Sequence, residues 1–85
     1  MNLEIKVQRI QKMESDSSLK AFVDIVVNDS ILIKGLKIIE GTNGVFVSMP
    51  QERGRDNKWY DSIRCLTEGA KEYISDVVLY SYQQA

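Results

Sequence analysis

An 85-residue chain with a formal net charge of −1 is long enough for one small core. It carries no global charge that would draw it to nucleic acid or an anionic membrane. Its single cysteine and lack of histidine exclude an internal disulfide, the usual zinc ligand sets and the commonest general base.

Hydrophobic residues make up 44% of the chain, a proportion that points to a folded domain rather than disorder. The Met1-to-Met13 segment alternates charged and apolar residues without the continuous apolar run of a signal peptide. No stretch approaches the length of a membrane span. A cytoplasmic protein without membrane association is therefore expected.

The first apolar alternation is Leu3, Ile5 and Val7 against Glu4, Lys6 and Gln8, the period of a strand with one buried face. A polar loop, Glu14–Ser18, separates it from a second alternation, in which Ala21, Val23, Ile25 and Val27 face one way and Lys20, Phe22, Asp24 and Val26 the other. Asn28-Asp29-Ser30 is a turn candidate, because Asn and Asp bond their own backbone and tolerate unusual φ. Ile31–Glu40 predicts a third strand, with Gly35 marking a bulge or bend inside it. Gly41-Thr42-Asn43-Gly44 is a tight turn into a fourth strand at Val45–Met49, its Asn-Gly pair supplying positive φ angles. Pro50, having no N–H for a ladder, ends that strand.

Beyond Pro50 the apolar pattern breaks. Gln51–Lys58 is polar and glycine-containing, and predicts a mobile loop. Trp59–Ile63 offers a short fifth strand. The period then changes: Ala70, Tyr73, Ile74, Val77 and Val78 form one stripe at helical spacing, with Tyr80 near its edge. Thr67 is the candidate N-cap and Glu68 suits the positive end of the helix dipole, while Gly69 weakens the first turn by roughly 1 kcal/mol relative to Ala. Leu79 falls opposite the stripe, either exposed or facing a partner chain. Short connections favour a meander. The expected fold is a single α+β domain over residues 1–85: a four- or five-stranded antiparallel sheet with a C-terminal helix packed on one face.

Candidate chemistry is sparse. No Ser or Cys nucleophile has a histidine to activate it, and no phosphate-binding loop is present, so catalysis is not expected. Cys65 suits a small buried hydrophobe beside Leu66. From Gln51 to Lys71 the cations Arg53, Arg55, Lys58, Arg64 and Lys71 outnumber Glu52, Asp56, Asp61 and Glu68 by one. A solvated loop with scattered ion pairs is the favoured account of so thin a surplus, and a phosphate footprint the alternative. Trp59 and Tyr60 beside Lys58 have the composition of a base-stacking platform. For Trp59 a core anchor at the sheet–helix junction is the favoured role, and Tyr73, Tyr80 and Tyr82 suit packing with a wet hydroxyl end.

Ile38-Ile39-Glu40-Gly41-Thr42-Asn43-Gly44-Val45-Phe46-Val47-Ser48-Met49-Pro50 resembles the signature of the SpoVG septation-regulator family. The likeness extends over nearly the whole chain: the N-terminal strand pair, the Met49-Pro50 exit, a basic loop, Asp61 and a C-terminal helix follow in family order. The resemblance implies a small bacterial cytoplasmic regulator of septation or sporulation, homodimeric and binding DNA or RNA. No cofactor, metal or small-molecule substrate is expected. Arg53, and Lys71 where the family commonly has Arg, match its basic positions; Arg55 is added from this chain's own loop. Two departures stand out. Glu52 replaces a basic residue common before Arg53, and Arg64-Cys65 replace the usual His-Pro, with Arg64 partly restoring the lost charge. The expected nucleic-acid contacts are thus Arg53, Arg55, Arg64 and Lys71, and the alternative is a protein-interaction module of cell division or regulation.

Overall fold

In the computed structural model, which describes residues 3–14 and 16–85, the chain runs through four strands, a small hairpin and one helix. Strands β1 (Ile5–Lys12), β2 (Leu19–Val27), β3 (Ile31–Gly41) and β4 (Gly44–Ser48) form an antiparallel sheet in the order β1-β2-β3-β4. This is the expected meander, with four strands in the main sheet.

Its inner face follows from the period-two pattern. Ala21, Val23 and Ile25 of β2 lie beside Leu36 and Ile38 of β3, and all five are buried. Ile5 of β1 joins them from one side, with Val45 and Val47 of β4 packed partly buried on the other. Helix α1 (Glu68–Gln84) closes this layer with Ile74 and Val78, one turn apart on a single face. Its start is capped as the sequence predicts: the Thr67 hydroxyl accepts a hydrogen bond from the Ala70 N–H at 3.1 Å.

Helix α1 has no basic residue in its last turn. Lys12 of β1 supplies the missing cation, its ammonium donating to the Ala85 carbonyl at 2.6 Å and lying 5.3 Å from the Tyr82 ring centroid. Leu79 lies one turn before Tyr82 and, with it, packs against the core. The expectation that Leu79 is exposed or meets a partner chain is corrected on this point. The apolar arc of α1 is wider than one stripe because the helix rests against β1 as well as β4.

Two local irregularities shape the sheet. Between Val23 and Ile25 the register shifts so that Lys34 and Gly35 of β3 oppose Asp24 alone. Gly35 takes φ +87° there, and its N–H donates to the Asp24 carboxylate at 3.2 Å, so the predicted bulge is real and held by a side chain. At the Gly41–Gly44 turn the positive angle falls on Gly44 alone, at φ +114°, and Asn43 does not share it. In the β2–β3 turn Asn28 and Asp29 both adopt φ near +50°, and Asn28 Oδ1 accepts from the Glu4 N–H at 2.7 Å, tying the turn to the start of β1.

The largest correction concerns Gln51–Asp61. The expected mobile loop is a second, two-stranded sheet, in which β5 (Gln51–Arg53) pairs with β6 (Trp59–Asp61). The fifth strand thus exists but joins β5, not the main sheet. The turn between them is built by two backbone bonds, Gly54 N–H to Lys58 carbonyl at 2.8 Å and Asn57 N–H to Gly54 carbonyl at 3.0 Å. Asn57 sits at φ +65°, a left-handed position that Asn tolerates well. No helix among the described residues is long and apolar enough to cross a membrane.

Candidate nucleic-acid interface

The β5–β6 hairpin sorts its side chains by face. Directly opposed residues on paired strands share a face, and successive residues alternate. Arg53 opposes Trp59 and Gln51 opposes Asp61, whereas Glu52 opposes Tyr60. Arg53 and Trp59 therefore project together, and Glu52 lies on the other side. The Glu52 carboxylate is thus turned away from Arg53.

Tyr60 fixes the turn from that second face. Its phenol donates to the Asp56 carboxylate, which also accepts from the Lys58 N–H at 3.0 Å. A Cβ at Gly54 would meet the Tyr60 ring at 2.8 Å and Asp56 Oδ1 at 2.9 Å, so only glycine fits beneath them. The Tyr60 phenol, then the Lys58 amide, hold the Asp56 carboxyl below its ordinary pKa. The Asp56 carboxylate in turn pushes the Tyr60 phenol up.

The sign of the pH effect follows from those two directions. A depressed carboxyl favours the closed turn above its unfolded pKa of about 4 and releases it as pH falls through the folded value. A raised phenol favours it below its unfolded pKa of about 10 and releases it as pH rises through the folded value. The Gly54 and Lys58 amide resonances should therefore hold constant between these limits and move beyond both. Tyr60→Phe should lose the alkaline limb.

Trp59 is 58% exposed and not the core anchor expected of it. Its ring has the Lys37 ammonium of β3 5.8 Å from its centroid. Among the described residues Arg53, Arg55, Lys58 and Lys71 have no carboxylate within ion-pair distance. Arg64 does: its Nε lies 3.5 Å from Asp61 Oδ2.

Arg64 and Lys71 come together at a different place. Both line a cavity of about 220 Å³ between β4, the segment after β6 and the start of α1, over a floor that includes Val47 and Ile74. Asp61 and Glu68 line the same cavity and offset the two cations there. Half-buried Cys65 forms part of its wall and packs on the core, while its neighbour Leu66 is exposed. The four predicted contacts thus fall in two pairs, Arg53 and Arg55 on the hairpin, Arg64 and Lys71 around the cavity. Asp61 belongs to both places, since it also accepts from the Gln51 amide at 2.9 Å. Arg53 stands two residues along from that rung, roughly 7 Å by strand rise. Sequence reasoning missed Lys37, a residue of the main sheet that approaches Trp59 only in the folded chain.

The SpoVG family model matches residues 3–84. A septation protein SpoVG of Archaeoglobus fulgidus is 36% identical over 81 residues, covering 95% of each chain. Its counterpart in Agathobacter rectalis is 30% identical over 81 residues, covering 95% of this chain and 93% of its own. That of Staphylococcus carnosus is 32% identical over 76 residues, or 89% of this chain and 71% of its own. With the meander, the glycine turn and the C-terminal helix in place, the chain belongs to the SpoVG family.

Proposed function

We propose that the chain is a non-enzymatic, cytoplasmic regulator of the septation type that binds DNA or RNA as a homodimer. The observation that carries this is the hairpin face on which Arg53 stands across from Trp59, whose ring Lys37 approaches, with no carboxylate among the described residues paired to the arginine. Guanidinium forks grip phosphate oxygens with two parallel N–H donors, and Arg55, Arg64 and Lys71 extend the contact. A second copy, related by symmetry, doubles the number of phosphates held.

Dimerisation is supported by the unfilled edge of β3. Strand β4 pairs with β3 only from Lys37 onward, so among the described residues the Ile31–Gly35 edge has no strand neighbour on that side in the main sheet. Ile31, Leu32 and Ile63 are exposed beside that edge, around a groove of about 380 Å³. The same edge gives substance to a second function, docking of another protein without nucleic acid.

Anisotropy titration with labelled DNA and RNA at several salt concentrations separates the two. Nucleic-acid binding gives a falling log–log plot of affinity against salt, and Arg53→Ala or Lys71→Ala flattens its slope by about 0.9 per contact on duplex DNA. Salt-independent silence toward both polymers favours protein docking. Sedimentation as a monomer at micromolar concentration removes the dimer.

A further inference from the structure

Resting on the nucleic-acid function above, we propose that the hairpin face takes an unpaired base, so that the ligand is single-stranded and Trp59 is its stacking platform. Three observations meet here. The indole is exposed on a strand and not sunk in the core. Arg53 lies directly across from it, and Lys37 reaches its ring from the main sheet. Glu52 and the Asp56–Tyr60 pair occupy the opposite face, and Asp61, which shares the face of Trp59, is already engaged by the Gln51 amide and Arg64.

Cross-strand neighbours have Cβ atoms about 5 Å apart, so the Arg53 and Trp59 side chains rise from adjacent points of one face and can reach the phosphate and the base of one nucleotide. An indole gains most from a flat π-surface laid against it. In a duplex those surfaces are covered by neighbouring base pairs, and only base edges face the grooves. A single strand leaves them open, and stacking on an aromatic side chain is tolerant of base identity. The Lys37 ammonium lies over one face of the indole, so the base is assigned to the other face, with the cation near the polyanion's backbone. A protein partner with an exposed apolar side chain would find two cations flanking the indole, a poorer match than a phosphate chain.

The test uses the sole tryptophan as its own reporter. Fluorescein-labelled oligothymidylate and oligouridylate of about 20 nucleotides, and a mixed-sequence duplex of about 20 base pairs, are titrated into the full chain at low salt. Either single strand should bind about 10-fold or more tightly than the duplex and quench Trp59 emission as it saturates. Trp59→Leu should erase that preference, bringing single-strand affinity down to the duplex level, and Trp59→Phe should restore part of it. Circular dichroism of the Leu variant should match the parent, since the position is exposed. Equal or tighter duplex binding with unchanged Trp59 emission overturns the inference and leaves the nucleic-acid function standing. No binding of any of the three probes overturns both.

Discussion

Leu36→Ala should lower the unfolding free energy by about 2–5 kcal/mol, read as a shift of the urea midpoint at unchanged slope. The side chain is 0% exposed, pairs across the sheet with Val23 of β2 and belongs to the buried cluster that Ile74 and Val78 of α1 join. It follows directly on the Gly35 bulge, whose N–H is already committed to Asp24, so the strand cannot slide to refill the space. A domain of this size holds on the order of 5–10 kcal/mol in all, so one truncation removes a large share. In thermal melts the loss should appear as a fall of at least about 10 °C. A loss below about 1 kcal/mol would mean that the layer under α1 is not close-packed at Leu36.

The fold was legible where one local rule governed. Strand β2 alternates cleanly because one of its faces is dry, and Thr67 could be identified as a cap because an N-cap hydroxyl works through its own first turn. Gly35 signalled its bulge for a similar reason: φ of +87° is a demand on one residue. Hairpin β5–β6 was hidden because Gln-Glu-Arg and Trp-Tyr-Asp have no buried face to impose a period. Its closure depends on the Tyr60 phenol reaching Asp56 and on Asn57 turning left-handed. The Asp56-Asn57 pair was the available turn signal, outweighed by the polar composition around it.

The candidate site was legible as a set of residues but not as a surface. Read as a loop, Gln51–Lys58 presents Glu52 as the neutraliser of Arg53; paired as a strand, the two point apart. Trp59 was assigned to the core because aromatics usually bury, and no sequence rule says that β6 would fall outside the main sheet. Lys37 is 22 residues from Trp59 in sequence, so only the tertiary structure brings the cation to the ring.

Double reversal of the hairpin cations, Arg53→Glu with Arg55→Glu, should weaken oligonucleotide binding about 100-fold or more at low salt. Each charge-assisted hydrogen bond lost is worth about 1.5–3 kcal/mol, and every tenfold in affinity takes about 1.4 kcal/mol. The salt slope on duplex DNA should flatten by about 1.8, two contacts at about 0.9 each. The matched reversal at the cavity, Arg64→Glu with Lys71→Glu, should cost less, on the order of 10-fold. Arg64 is already engaged by Asp61 at 3.5 Å, and Glu68 faces the same cavity as Lys71, so those cations offer phosphate a smaller net gain. All four side chains belong to exposed residues, which keeps both variants folded and their circular dichroism comparable. If the cavity pair proves the costlier, the phosphate path crosses the start of α1 and the hairpin is not its principal contact. If the hairpin pair dominates, the unpaired guanidinium beside Trp59, more than the count of cations in the sequence, sets the affinity of this surface.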